Sequence, residues 1–176
     1  LIGSIPTGYL LNKYFGHGDI RKVGSGNIGA TNVLRHSGKL LGLLTLLIDI
    51  GKGFLALVYL TDIRGYSPSE EIFIIGSSVV LGHIFSPWLK FKGGKGVATM
   101  LGVILYLGTG YINIFLITIF SWLIIIFFTK YVALGSVISL TIATIYSYFY
   151  IPPLFPFFIL MTLLITYKHK DNFERI

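Results

Sequence analysis

The sequence predicts an all-α integral membrane protein with about seven transmembrane helices. Hydrophobic residues make up 54% of its 176 residues and charged residues only 12%, against about 25% charged residues in a typical soluble domain. The mean hydropathy is +0.81. A water-soluble fold of this length could not cover so much apolar surface, whereas lipid requires no such cover. A single polytopic domain over residues 1–176 is the simplest organisation.

The chain begins within an apolar run, Leu1-Ile2-Gly3, without an initiator methionine. We therefore expect incomplete termini, and we expect no cleavable signal peptide because no charged region precedes the run. The absence of cysteine excludes disulfides, thiolate zinc sites and cysteine nucleophiles. A net charge of +7 can indicate nucleic-acid binding. In a membrane protein, however, Lys and Arg more often orient the helices, so no nucleic-acid partner is expected.

Seven apolar segments approach the length of a membrane helix, which needs roughly 20 apolar residues. The fourth is short and ends at the turn signal Gly108-Thr109-Gly110, as a half-depth helix would. Pro152 and Pro153 break the chain before the last segment. The predicted segments are residues 1–14, 40–60, 71–89, 97–109, 111–129, 131–150 and 153–167.

Lysine and arginine are concentrated in alternate connections between these segments. The opposite connections hold only Arg64, and Lys52 lies inside the second segment. Because cytoplasmic loops are enriched in these residues, the pattern predicts seven spans with the N-terminus outside and the C-terminus in the cytoplasm. A five-span arrangement would put basic loops on the wrong side or leave two segments in the interface. The cytoplasmic set is Lys13, Arg21, Lys22, Arg35, Lys39, Lys90, Lys92, Lys95, Lys130, Lys168, Lys170 and Arg175.

The longest connection, residues 16–39, holds the run Gly-Ser-Gly-Asn-Ile-Gly at 24–29 and then Arg35. Its G-x-G-x-x-G spacing is that of a dinucleotide fingerprint, but that motif requires a βαβ unit and does not fit between membrane helices. A glycine-shaped loop can instead expose backbone N–H groups, and Arg35 can bind phosphate through two of its N–H groups. A structural turn with an interfacial arginine is an equal alternative.

A second polar cluster spans residues 83–96 and ends in Lys92-Gly93-Gly94-Lys95-Gly96. These glycines would let backbone amides approach an anion beside two ammonium groups, at the start of the next helix. It is not a Walker A loop. No glycine stands five residues before Gly94, and Lys95 is followed by Gly96 where that motif has Ser or Thr. A basic turn that only sets topology is the alternative.

Asp49, Lys52 and His83 lie within predicted membrane helices, not at their ends, and ionisable residues in such positions are functional candidates by default. His83 lies near the cytoplasmic end of the third segment, although a lone histidine is often a packing residue. Asp49 and Lys52 are three positions apart in the second segment and can pair on one helix face. For them a structural ion pair is the preferred interpretation.

The third polar cluster, residues 169–175, contains His169, Asn172 and Arg175. By composition it is a juxtamembrane tail that binds anionic lipid. No histidine–carboxylate grouping has metal-ligand spacing, so we expect no metal and no cofactor. Together the clusters indicate a membrane protein that receives phosphate-bearing substrates from the cytoplasm.

These motifs, in this order, resemble those of the bacterial acyl-phosphate:glycerol-3-phosphate acyltransferases of the PlsY type. The resemblance covers nearly the whole chain, and several motifs at matching spacing make it specific. It rests on residues 25–32, 49–53, 82–87 and 92–96 and on His169, Asn172 and Arg175. The family usually continues past the last motif with Gly and Glu, whereas this chain stops at Ile176.

The resemblance implies seven helices and a multi-pass protein of the bacterial inner membrane with a cytoplasmic active site. It implies that fatty acyl-phosphate and glycerol-3-phosphate give lysophosphatidic acid and phosphate, with membrane lipid and the acyl-phosphate-producing enzyme as partners. The implied catalytic residues are Ser25, Asn27, Arg35, His83, Lys95, His169 and Asn172. The implied substrate-binding residues are Ser25, Arg35, Lys92, Gly93, Gly94, Lys95, Gly96, His169 and Asn172.

For this reaction we expect the sn-1 hydroxyl to attack the acyl-phosphate carbonyl directly, because phosphate is a good leaving group. Either His83 as general base or a substrate phosphate would take the proton. Ser25 as an acyl-accepting nucleophile would need an adjacent base and is disfavoured. None of the four histidines has Asp five residues later, so the His-x₄-Asp motif of acyltransferases that use soluble donors is absent.

Two functions without acyl transfer remain as alternatives. A transporter of phosphate esters would more often show internal repeats and polar residues at the bilayer midplane, and here only Asp49 and Lys52 fit the latter. A lipid-binding scaffold would leave the glycine-rich loops unexplained.

Overall fold

The computed structural model describes residues 1–60 and 67–175, and every regular element in these two stretches is helical. The all-α prediction is confirmed for that part of the chain, and the predicted connection around Arg64 lies outside it. Four helices are long and apolar enough to cross a membrane: Lys39–Leu60, Ser69–Leu89, Ile112–Thr129 and Val132–Tyr150. The shorter apolar helices are Val97–Leu107 and Pro152–Lys168. The count of seven spans and their orientation stay predictions.

Each predicted apolar segment contains a helix. A π-helical turn, Ile72–Gly76, joins α4 to α5, and short 3₁₀ turns lie at Ile2–Ser4, Ile20–Lys22, Pro87–Leu89 and Pro152–Leu154. The α-helices are α1 (Thr7–Tyr14), α2 (Ala30–Ser37), α3 (Lys39–Leu60), α4 (Pro68–Glu71), α5 (Ser77–Ile84), α6 (Val97–Leu107), α7 (Ile112–Thr129), α8 (Val132–Tyr150), α9 (Phe155–Lys168) and α10 (Lys170–Phe173).

The outer surface of α7 is that of a helix in lipid. Only Ile114 and Thr118 of this helix are buried, although its sequence is apolar all round. Phe120, Phe127 and Phe128 are among its exposed side chains. A contiguous apolar face of this kind would aggregate in water but is satisfied by hydrocarbon.

Helices α3 and α6 pack backbone against backbone. A Cβ atom added to Gly53 would lie 2.2 Å from the carbonyl oxygen of Thr99, and one added to Gly102 would lie 2.0 Å from that of Ile50. Small residues permit such an approach, which is how membrane helices gain packing energy without a hydrophobic driving force. The contact fixes the inner face of α3, which carries Asp49, against the start of α6.

The long connection expected at residues 16–39 is more ordered than the sequence suggested, because it contains α2. Asn32, a buried residue of this helix, donates to the carbonyls of Val23 and Asn27 at 3.1 and 2.9 Å and accepts from the Ser25 N–H at 3.1 Å. Its amide therefore ties the glycine-rich loop to α2. The same region has its own small apolar core, formed by Ile20, Ile28, Val33, Leu41 and Leu89.

Candidate active site

A cavity of about 470 Å³ lies among α2, α3, α5, α6, α7, α8 and α10, within the roughly 300–1,000 Å³ usual for ligand sites. Along α6 its lining runs from Gly96 to Ile104, and along α8 from Val132 to Leu140. Eight residues of helix rise by about 12 Å. The cavity thus extends from the polar helix termini, where the loops lie, about two turns down between apolar helix faces.

The three polar clusters of the sequence meet in this cavity. The predicted site residues that line it are Ser25, Asn27, Arg35, His83, Lys95, Gly96, His169 and Asn172. Lys92, Gly93 and Gly94 are not among the lining residues. Lining residues that the sequence did not single out as site residues include Thr31, Asn32, Asp49, Lys130, Ser136 and Ser139. The roles of all these residues in catalysis and binding stay predictions.

Two helix N-termini open onto the cavity. Gly29, Ala30 and Thr31 line it at the start of α2, and Gly96 and Val97 line it at the start of α6. Both N-cap residues are glycine, so no side chain caps the first-turn N–H groups. Uncapped amides and the positive end of the helix dipole form a ready site for anions.

The amides of Gly93 and Gly94 are hydrogen-bonded within the protein. They donate to the carbonyls of Ile84 and His83 at 3.1 and 3.0 Å. A Cβ on Gly93 would lie 2.0 Å from the His83 carbonyl oxygen, and one on Gly94 would lie 2.0 Å from His83 Nε2. These glycines therefore allow the lysine-rich loop to pack against the end of α5, and this packing brings Lys95 to the cavity.

The predicted ion pair between Asp49 and Lys52 is confirmed, with Lys52 Nζ 2.9 Å from Asp49 Oδ1. The sequence did not show its third member. Lys52 Nζ also lies 2.7 Å from His83 Nδ1, and it donates to the Ile5 carbonyl at 3.1 Å. All three ionisable side chains are at least 95% buried, and Asp49 and His83 line the cavity.

His169 enters the cavity from the C-terminal cluster. Its Nδ1 lies 2.8 Å from the Ile165 carbonyl oxygen. A carbonyl can only accept, so Nδ1 carries the proton and Nε2 presents a lone pair. Burial is the main reason that the pKa of His169 is lowered to about 4; the hydrogen bond to Ile165 opposes this shift, and the charge of Lys95 contributes to it. The imidazole is therefore neutral at pH 7.

The charge at the cavity is strongly positive. Arg35, Lys95, Lys130 and Arg175 line it, and Asp49 is the one carboxylate among its described lining residues. No carboxylate in residues 1–60 and 67–175 forms a salt bridge with Arg35, whereas Arg21 pairs with Asp19 at 2.7 Å. In the same part of the chain, no group of three His, Cys, Asp or Glu side chains could hold a metal ion. Cationic side chains that form no salt bridge, together with backbone amides that no side chain caps, can bind the phosphate group of a phosphate ester.

The fold and the site define a helical membrane protein with a cationic cavity that extends between apolar helices. Over residues 1–176 the chain matches the family model for glycerol-3-phosphate acyltransferase. It is 44% identical to the glycerol-3-phosphate acyltransferase of Pelagibacter ubique (strain HTCC1062) and 46% identical to that of Bartonella henselae, with all of this chain and 88% and 83% of those proteins aligned. The chain therefore belongs to the glycerol-3-phosphate acyltransferase family.

Solved structures agree with this assignment. The chain is similar to PlsY (YgiH), an integral membrane glycerol 3-phosphate acyltransferase, in its glycerol 3-phosphate form. The TM-score is 0.89 and the identity 36%, over 99% of this chain and 86% of that one. The lysphosphatidic acid form of PlsY matches with a TM-score of 0.85 and 35% identity, with the same coverage. The resemblance inferred from the sequence motifs is thus confirmed.

Proposed function

We propose that this acyltransferase moves a fatty acyl group from acyl-phosphate to the sn-1 hydroxyl of glycerol-3-phosphate, giving lysophosphatidic acid and phosphate. This would be the first step of bacterial phospholipid synthesis. The observation that carries the proposal is one cavity in which two helix N-termini and four cationic side chains lie above an apolar lobe. Such a cavity suits two phosphate-bearing reactants, one of which has a long acyl chain.

The polar end of the cavity suits the two phosphate groups. The first turns of α2 and α6 offer N–H groups, and Arg35 and Lys95 add positive charge. Glycerol-3-phosphate and acyl-phosphate are both anionic and would repel each other in water. Cations that neutralise both lower the cost of bringing them together, and alignment of two reactants can supply roughly 7–11 kcal/mol.

The apolar lobe suits the acyl chain of the donor. Its walls are formed by Leu101 and Ile104 of α6, Ile119 and Trp122 of α7, and Leu140 of α8. Trp122 Nε1 donates to the Ser136 hydroxyl at 3.3 Å, so the polar atom of the indole has a hydrogen-bond partner. The ring of Trp122 can then serve as an apolar wall of the cavity. An acyl chain here would keep its carbonyl at the boundary between the lobe and the cationic end.

Direct transfer requires no covalent enzyme intermediate. The hydroxyl oxygen bonds to the carbonyl carbon, the bond from that carbon to the phosphate oxygen breaks, and phosphate leaves with the electron pair. The hydroxyl proton passes to a substrate phosphate or to His169 Nε2. Ser25 is an exposed residue whose hydroxyl accepts from the Asn27 N–H at 3.4 Å. Among the described residues no histidine is hydrogen-bonded to it, which supports transfer without an acyl-serine.

The membrane arrangement we propose is a single domain of seven spans in the bacterial inner membrane, with the N-terminus outside. The cavity then faces the cytoplasm, because it is built from the loops that carry the excess of Lys and Arg. Glycerol-3-phosphate would enter from the cytosol and acyl-phosphate from the bilayer. Since acyl-phosphate is a reactive anhydride, the enzyme that produces it is a natural partner at the same membrane.

The test uses purified protein with labelled glycerol-3-phosphate and no transmembrane gradient. Palmitoyl-phosphate should yield lysophosphatidic acid and phosphate in equal amounts, whereas palmitoyl-CoA and palmitoyl-acyl carrier protein should yield none. Arg35→Ala should raise KM for glycerol-3-phosphate by about 10–100-fold, because a hydrogen bond to a charged group contributes about 1.5–3 kcal/mol.

The matched control is Arg21→Ala, since Arg21 already pairs with Asp19 and does not line the cavity; its KM should stay unchanged. Equal use of palmitoyl-CoA would refute the proposed donor. Gradient-dependent uptake of glycerol-3-phosphate without any acylated product would indicate the transporter instead.

A further inference from the structure

The buried group of Asp49, Lys52 and His83 has a hydrogen-bonding geometry that goes beyond an ion pair. Lys52 Nζ has three neighbours: Asp49 Oδ1 at 2.9 Å, His83 Nδ1 at 2.7 Å and the Ile5 carbonyl oxygen at 3.1 Å. An ammonium group has three protons and no lone pair. A charged Lys52 can therefore donate to the Ile5 carbonyl oxygen and to His83 Nδ1, while Asp49 Oδ1 lies at ion-pair distance.

The same geometry fixes the protonation of His83. With Lys52 charged, Nδ1 must accept, so the single ring proton of a neutral imidazole lies on Nε2. The alternative is a neutral Lys52 amine that accepts from a protonated Nδ1. If the imidazole is also neutral, this arrangement leaves the Asp49 carboxylate without a countercharge between apolar helices. Burying an unpaired carboxylate costs far more than burying the Asp49–Lys52 ion pair.

The Nε2 atom of His83 is left available to a ligand. His83 lines the cavity, and no residue in 1–60 or 67–175 accepts a hydrogen bond from Nε2. The ring packs so closely over Gly94 that a Cβ there would lie 2.0 Å from Nε2. Lys52 holds one side of the imidazole and Gly94 the other, so the ring cannot easily turn.

We propose that Asp49 and Lys52 are positioning residues that keep His83 as an Nε2–H donor, and that this N–H donates to the carbonyl oxygen of the acyl donor as it gains negative charge. The inference rests on the acyl transfer proposed above. The phosphates have the helix N-termini and the cations of the cavity as partners. A neutral donor in the last turn of α5 suits the carbonyl, which joins the phosphate to the acyl chain.

This role differs from the general base considered for His83. Its Nε2 already bears a proton, and a second ring proton would create a cation beside Lys52. The proton of the attacking hydroxyl therefore goes elsewhere, to a substrate phosphate or to His169 Nε2. His83 keeps its own proton throughout the transfer.

Substitutions at His83 separate a donor from a base. The side-chain amide of glutamine reaches the position of Nε2 and donates there, but it cannot accept a proton. His83→Gln should therefore keep kcat within about 10-fold of the wild type, while His83→Ala should lose about 10²–10³-fold, as expected for one oxyanion donor. KM for glycerol-3-phosphate should change little in either. Equal losses in the two variants would overturn the proposal. The exposed His17 provides the control His17→Gln.

Nitrogen-15 NMR of protein labelled at histidine shows which ring nitrogen carries the proton, and it requires no catalytic turnover. The His83 signals, identified by their loss in His83→Gln, should show an unprotonated Nδ1 and a protonated Nε2 at pH 7. A protonated Nδ1 would overturn the proposal. Because this measurement needs no acyl donor, its result stands even if the proposed donor is wrong.

The positioning role is tested by removing both charges together. Lys52→Met alone strands the Asp49 carboxylate and can prevent folding, whereas Asp49→Asn combined with Lys52→Met leaves no unpaired charge. The double variant should fold, with the helical circular dichroism of the wild type, but its His83 should sample both ring tautomers and kcat should fall at least 10-fold. A folded double variant with wild-type kcat and an unchanged His83 spectrum would refute the role.

Discussion

Lys95 carries a charge in the cavity that is sensitive to pH. Burial is the main reason that the pKa of its ammonium is lowered to about 8; the charge of Asp171 opposes this shift, and the charges of Arg175 and Lys168 contribute to it. A lysine with a lowered pKa is charged below that pH and neutral above it. We expect kcat/KM for glycerol-3-phosphate to fall as the pH rises through about 8, since a neutral amine binds phosphate less well. A pH profile of initial rates measures this.

The control for that profile is Lys95→Met, which cannot titrate. Its kcat/KM should be low at every pH and should lack the alkaline decline. A decline of the same size in the variant would assign the titration to another group and contradict the role of Lys95.

The residues that could be predicted are those whose chemistry shows in a short stretch of sequence. Lys95, His169 and Asn172 meet at the cavity, and the Asp49–Lys52 pair follows from the helical repeat alone. The contact between Lys52 and His83 could not be predicted, because it joins residues 31 positions apart on two helices. The sequence also did not show that the amides of Gly93 and Gly94 donate to carbonyls of α5; their part in substrate binding stays a prediction.

At the level of secondary structure, the contact between α3 and α6 predicts an asymmetric response to alanine. A Cβ at Gly102 would lie 2.0 Å from the Ile50 carbonyl oxygen, whereas one at Gly51 meets nothing within 4 Å. Gly102→Ala should therefore lower the free energy of unfolding by about 1–3 kcal/mol through overpacking. Gly51→Ala should be neutral or stabilising, as alanine is the better helix former. Unfolding in mixed micelles compares the two, and equal stabilities would contradict the close contact.

The long apolar helices were readable from composition, but α2 was not. It has only eight residues, and isolated helices of that length are unstable in water, so its sequence carries a weak helical signal. Its stability comes from tertiary contacts that a single sequence does not display: Val33 is buried in a small core with Ile20 and Leu41. The prediction of a loop failed here because packing outweighed local propensity.

For the whole molecule, the distribution of Lys and Arg predicts which loops face the cytoplasm. Because the chain has no cysteine, each introduced cysteine is unique and can be labelled from one side of sealed cells. His17→Cys and Lys170→Cys should react only after the membrane is opened. Thr109→Cys and Pro153→Cys should react with an impermeant maleimide in intact cells. All four residues are exposed.

One labelling result would contradict the prediction of seven spans. If the short helix α6 does not cross the bilayer, Thr109→Cys would be protected in intact cells, like His17→Cys. The balance of the loop charges, and not the length of α6, is what favours crossing, because α6 has 11 residues and a full span needs roughly 20.

The direct contact of α3 with α6 also limits which parts of the cavity can change among related enzymes. Where two helices meet through glycine, no side chain lies between them to change rotamer, so the spacing of Asp49 on one helix from Gly96 on the other is a property of the backbone. New acyl-chain preferences should therefore arise from the walls supplied by α7 and α8, where large side chains can be exchanged. The chemical step would stay the same while the lipid product diversified.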